Sequence, residues 1–236
     1  MTTQSPTAVP SARPRVSPVL VLGILGVLTF ALIPIKIDTV YSGLPAHPLF
    51  LHVPVILIPV AGVAALALAA RPAWFARHGV WITLIAVIAL GALNLTMGAG
   101  KALREDLGLP GAGFGGTAGV GGIGSLIARH EHAADLLRIF TILFTAVLIV
   151  SLAVYRAESG IASLDGLLAR LRESRASTVA LRTALAVLAV LCLYFVFHTG
   201  DLGAKAVWQG RIHSAGFGGP GAGGGVSSLF GPGGGG

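Results

Sequence analysis

Five apolar stretches divide this chain, at about 16–35, 49–70, 79–97, 133–155 and 183–199. Each is near the roughly 20 residues that an α-helix needs to cross hydrocarbon. Inside lipid a backbone must satisfy its own hydrogen bonds, so the expected fold is all-α, a polytopic membrane helical bundle with five transmembrane helices. Of the 236 residues, 54% are hydrophobic and only 11% charged, too few polar side chains to coat a soluble globule. The net charge of +7 then reads as Lys and Arg at helix ends and in loops facing anionic headgroups. No fold-level sign of a nucleic-acid surface accompanies it, which argues against nucleic acid as a partner. The single cysteine, Cys192, lies among Leu and Val and reads as a small buried hydrophobe, with no internal disulfide available.

Residues 1–15, rich in Ser, Thr and Pro with Arg13 and Arg15, read as a disordered tail at the cytoplasmic surface. The helix at 16–35 is expected to stay as an anchor. It is longer than a signal-peptide core, and Ile33-Pro34-Ile35-Lys36 offers no small-residue cleavage site. A four-helix membrane domain occupies 44–210, and 211–236 is a glycine-rich disordered tail. Within the domain, Arg71 to His78 forms a basic, aromatic turn of cytoplasmic type. Lys101 to Leu107 is an amphipathic stub, followed by a glycine-rich run from Pro110 to Gly124, read as flexible and external. Between Arg156 and Arg182, Leu164, Leu167, Leu168 and Leu171 recur opposite Arg170, Arg172 and Arg175, the pattern of a cytoplasmic amphipathic helix. Lys and Arg number nine on the proposed cytoplasmic side and seven outside. That small bias orients the N-terminus toward the cytoplasm.

Alternating the helices puts six of the seven histidines, His47, His52, His130, His132, His198 and His213, near one extracytoplasmic leaflet. Four helix ends converge there, and Asn94 and Thr96 join them at the end of the third helix. Imidazole ligates haem iron and transition metals and titrates near neutrality, so this gathering is the main sign of chemistry. At about 100° per residue, His47 and His52 stand about 140° apart and His130 and His132 about 200° apart, so each pair supplies one inward imidazole at most. Glu131, Asp135 and Arg138 share one stripe of the fourth helix. Arg138 lies inside the bilayer, where a lone cation costs roughly 1–3 kcal/mol, so Asp135 is its expected partner. Pro54 and Pro59 in the second helix release the carbonyls of Phe50 and Val55. Three formal motif matches carry no weight. Gly111 to Gly116 satisfies G-x-G-x-x-G inside a loop, Gly98 to Ala102 lacks the rest of a phosphate loop, and Asn94-Leu95-Thr96 is an acceptor sequence buried in a span.

His47-Pro48-Leu49-Phe50-Leu51-His52-Val53-Pro54, His130-Glu131-His132-Ala133 and the run from Thr199 to Trp208 resemble the bacterial membrane family known as domain of unknown function 2231. The resemblance covers about 44–210, and H-P-x3-H-x-P is its most specific part. It implies a four-helix membrane domain. Some members are joined to iron-sulfur or c-type cytochrome modules, which implies proximity to electron transfer and to redox proteins of those kinds. No activity or catalytic residue carries over. Members commonly have a second glycine where this chain has Ala204, and a His-Gly-Val ending where it has Trp208 to His213.

The expectation is therefore a membrane protein, more a carrier than an enzyme, whose outer-leaflet pocket holds a b-type haem, or else a copper or zinc ion, for electron transfer. The expected ligands are His52, His130 and His198 with His47 as substitute, and Glu131 as an added ligand if the guest is a metal ion. Arg138 or Lys101 would meet the haem propionates. Two other classes compete. One is a cofactor-free anchor or assembly module in the lipid bilayer, with a homo-oligomer among its possible forms. The other is a proton-coupled transporter of small solutes using Glu131, Asp135 and the histidines as a relay, which would need a second polar cluster toward the cytoplasm that the sequence does not supply.

Overall fold

The computed structural model describes residues 16–31, 37, 46–106, 123–157 and 159–214, the side chains of 123–124 and 209–214 excepted. Among the described residues seven α-helices follow one another: α1 (Pro18–Ala31), α2 (Ala46–Phe50), α3 (His52–Ala70), α4 (Phe75–Asp106), α5 (Ile123–Arg156), α6 (Ala162–Glu173) and α7 (Arg175–Ser214). A 3-10 turn at Pro72–Trp74 joins α3 to α4, and there is no strand among the described residues. The segment Ala46–Ala70 and the helices α4, α5 and α7 are long and apolar enough to cross a membrane. The molecule is a helical membrane bundle. α1 is apolar but has 14 residues, about 21 Å at 1.5 Å per residue against about 30 Å of hydrocarbon. Residues 32–36 of the expected first span lie outside the described residues, as do the tail at 1–15, the glycine-rich run through 122 and everything beyond 214, and likewise the His213 side chain.

The helices outrun the apolar stretches that announce them. The third apolar stretch ends at 97, yet α4 continues to Asp106 and absorbs most of the stub. α7 passes straight through Thr199 and Gly200. Hydropathy marks where lipid stops; a helix continues beyond that point if its polar turns find partners. Here Arg104 on α4 meets Glu131 on α5 at 2.8 Å, and Lys205 bonds Asp201 one turn back on α7 at 2.6 Å. The segment 156–182, read as one amphipathic helix, is divided instead. α6 ends at Glu173, Ser174 is extended, and its hydroxyl accepts the Ser177 N–H at 3.3 Å as the N-cap of α7. The prolines of the second span do not end it, and Pro59 lies inside α3. Pro54 falls in the first turn of α3, where no intrahelical donor is required, and Leu51 links α2 to α3 in helical conformation.

Small residues set the helix separations. A Cβ on Gly79 of α4 would stand 2.7 Å from Leu152 of α5, and one on Gly62 of α3 would stand 3.2 Å from Leu193 of α7. Such close approaches supply the van der Waals contact that drives helix association in lipid. Phe144, Leu148, Leu152 and Leu185 fill the centre, with Cys192 buried beside the Thr141 hydroxyl. Buried Thr83 and Thr141 satisfy themselves on the carbonyls of Gly79 and Leu137, one turn back, at 2.8 Å. Ile56, Val63, Trp81 and Phe197 point outward, as lipid-facing positions should.

α1 runs alongside. Ser17 and Leu20 at its start pack under Gly160, between α5 and α6, and the carbonyl of Thr29 near its far end accepts the Asn94 amide at 2.8 Å. The two ends of the bundle differ in charge. Around the α3–α4 turn, α6 and the start of α7, Arg71, Arg77, Arg156, Arg170, Arg172, Arg175 and Arg182 are accompanied, among the described residues, by Asp165 and Glu173. At the opposite end, among the residues with described side chains, Lys101, Arg104, Arg129, Arg138 and Lys205 are matched in number by Glu105, Asp106, Glu131, Asp135 and Asp201.

Candidate functional site

The start of α2, the end of α4, the start of α5 and the end of α7 meet at the balanced end, and two imidazoles lie between them. His47 on α2 places its Nδ1 2.9 Å from the carbonyl oxygen of Thr96 on α4. His130 on α5 places its Nδ1 2.9 Å from the carbonyl oxygen of Thr199 on α7. A carbonyl only accepts, so each Nδ1 carries the proton and donates it. In the neutral ring each Nε2 is then left as a lone pair. The Arg104–Glu131 pair links the two places, since Arg104 lies one turn after Gly100 on α4 and Glu131 adjoins His130 on α5.

The two arrangements repeat one local design. A carbonyl in an α-helix points along the axis toward residue i+4, so a ring that reaches it from another helix must lie over that residue. Four residues after Thr96 comes Gly100, where a Cβ would stand 2.9 Å from His47 Nδ1. Four residues after Thr199 comes Gly203, where a Cβ would stand 3.1 Å from His130 Cε1. Glycine clears the space in both places, at two of the four T-x3-G patterns in the sequence.

Of each histidine pair one member turns inward. His47 and His130 are partly buried, whereas His52 and His132 are exposed on the other sides of their helices. His198 is apart from both rings that bind carbonyls. It stacks on Tyr194 of its own helix at 5.6 Å between centroids and meets Phe195 edge-on at 6.5 Å. The structure thus gathers His47 with His130, and leaves His52 and His198 on other faces. The seventh histidine, His78, lies at the far end beside Trp74.

The charged residues next to the site are also rearranged relative to expectation. Glu131 is engaged by Arg104 across the α4–α5 interface, both side chains being about four-fifths buried. Asp135 is not the partner of Arg138. No ion pair joins them, and Arg138 Nε is buried without a hydrogen bond among the described residues. The three-residue spacing puts both on one side of α5 without joining them. Arg104 Nε and the hydroxyl of Thr199 are buried and unpartnered in the same sense. Lys101 is exposed. Asn94 is buried and spent on α1 through its amide, and the Thr96 hydroxyl bonds Ala92 one turn back.

Arg104, Gly100, Gly203 and the carbonyls of Thr96 and Thr199 were not picked out by residue chemistry. A carbonyl has no side-chain signature. T-x3-G stands at four places in the sequence, and the two at 96–100 and 199–203 gain meaning only when each glycine is known to face an imidazole.

Residues 43–216 match the model of a family described as predicted membrane protein, DUF2231. Among curated proteins and solved structures, nothing matches the chain.

Proposed function

We propose that this chain, which belongs to the DUF2231 family of predicted membrane proteins, is an electron-transfer component of the bacterial inner membrane that holds a b-type haem between His47 and His130. In support, each imidazole has its Nδ1 committed to a backbone carbonyl on a neighbouring helix, which holds the ring and presents Nε2 as a lone pair. Metal-ligating histidines are ordinarily held in this way. The donor count favours haem over a bare ion. Two imidazoles would suffice to hold a haem, whose porphyrin supplies the other donors, whereas zinc sites use three or four protein ligands. No group of three or more His, Cys, Asp or Glu able to hold a metal occurs among the described residues. The buried, unpartnered Nε atoms of Arg104 and Arg138 would offer hydrogen bonds to propionate carboxylates. Bound haem would supply one-electron chemistry; the chain's own task is to orient the imidazoles and exclude water. The arginine-rich end would face the cytoplasm, following the positive-inside rule, and the histidine end the opposite side.

A second reading has an observation of its own. The same two hydrogen bonds join α2 to α4 and α5 to α7, so the histidines would act as interhelical ties in a cofactor-free assembly module. An absorption spectrum of the detergent-purified protein, supplemented with haem during expression, separates the two. A Soret band lost in both His47→Ala and His130→Ala supports the haem site. Protein of native stability with neither Soret band nor stoichiometric metal overturns it and favours the tie.

A further inference from the structure

The arginine-rich end has no part in the histidine site, and two features meet on its α6. Along this helix Leu168 is buried against the bundle while Ile161, Leu164 and Leu167 stay exposed. Arg170 and Arg172 flank that apolar stripe on its two sides at about 100° per residue. Arg170, Arg172 and Arg175 are exposed and form no ion pair with a described residue. Asp165 is withdrawn from them, because its carboxylate accepts the Ser159 hydroxyl at 2.7 Å and the Ser159 N–H at 2.8 Å. Apolar side chains between outward-reaching arginines are the pattern of a helix lying in a membrane interface.

The start of α6 also closes one end of an apolar groove of about 430 Å³ along α1, lined by Leu20, Gly23, Ile24, Leu28, Ser159 and Ile161. Gly23 has nothing within 4 Å of where its Cβ would be, so the groove has an open floor. It runs down the side of a lipid-facing helix and ends at Ser159 and Ile161, at the start of the helix whose second half bears the unpaired cations, about 14 Å further on at 1.5 Å per residue. That sequence, apolar slot and then positive charge at the interface, is complementary to an acyl chain joined to an anionic headgroup.

We infer that α6 and the groove along α1 form a binding site for an anionic phospholipid, with an acyl chain beside Gly23 and the headgroup drawn to the arginines of α6 and the start of α7. The full-length protein, reconstituted in vesicles of phosphatidylcholine mixed with phosphatidylglycerol and then mildly extracted, is examined for retained lipid by native mass spectrometry. Phosphatidylglycerol is expected to be retained several-fold over phosphatidylcholine. The joint variant Arg170→Gln, Arg172→Gln, Arg175→Gln is expected to lose most of that preference while keeping helical content and elution volume. Gly23→Leu, which fills free space, is expected to lower retention of both lipids. Inorganic phosphate, matched in ionic strength to a chloride control, is expected to displace no more lipid than chloride does. Equal retention of the two lipids by the unaltered protein overturns the proposal, as does an undiminished preference in the arginine variant. Unchanged retention in Gly23→Leu, or selective displacement by phosphate, removes the acyl-chain part and with it the lipid site.

Discussion

At the histidine end, polar side chains of one helix are spent on another: His47 on α4, His130 on α7, Arg104 on α5. At the arginine end helices are tied as well, but by guanidinium groups, which only donate and leave no lone pair free. Arg182 donates to the carbonyl of Ala69 at the end of α3 at 2.7 Å, and Arg71 lies over the Trp74 ring at 5.1 Å. Both ends are water–lipid boundaries and both are polar. The difference shows that polarity at a helix end does not identify a site. A site is distinguished by polar groups from several helices that constrain one another and leave a reactive atom free.

Removing both ring contacts tests that contrast most severely. His47→Ala with His130→Ala should abolish any Soret band and lower stability by about 1–3 kcal/mol, taking each interhelical hydrogen bond in a membrane as worth roughly 0.6–1.7 kcal/mol; thermal unfolding in detergent measures the second effect. Gly100→Ala sharpens the comparison, because its Cβ would fall 2.9 Å from His47 Nδ1 and must expel the ring, at about 1–2 kcal/mol. Gly203→Ala, with its nearest ring atom at 3.1 Å, should cost less. If both alanines unfold at the unaltered temperature, the glycines do not clear space for the rings.

A smaller effect is expected at Asp165. The Ser159 hydroxyl and N–H hold its carboxyl below the usual carboxylate range. A depressed folded value means that its contribution is complete above the unfolded value near 3.9 and is lost as pH falls through the folded one. The α5–α6 turn should therefore loosen below about pH 4. Hydrogen exchange at Ser159 to Ile161 follows this, and Asp165→Asn should remove the pH dependence. The least effect belongs to the exposed pair Lys205 and Asp201, whose removal should change stability by about 0–0.5 kcal/mol and leave His130 undisturbed.

The bundle was legible in the sequence because lipid imposes a length and a composition on any helix that crosses it. The inward member of each histidine pair was half legible. Spacing required that one ring of His47 and His52, and one of His130 and His132, turn away, without saying which. Structure turns His52 outward, since α3 presents that side to lipid together with Val53 and Ile56. His198 looked equivalent to the others by position along the chain. Its rotation about α7 instead sets it on Tyr194 and Phe195. The division of 156–182 rests on Ser174, one polar residue in a segment of helical periodicity, and periodicity does not register a change of axis.

By itself the sequence determined that this chain is a bundle of membrane helices, and that its histidines collect where four helix ends meet. Alternating direction is a matter of counting, and counting needs no contacts. Tertiary structure alone decided which rings turn inward onto a neighbouring helix, and that Glu131 belongs to Arg104 rather than to any group on its own helix. It also decided that two glycines make room for two imidazoles. Each of these depends on the rotation of one helix against another, which is set by packing between residues 49 and 69 positions apart.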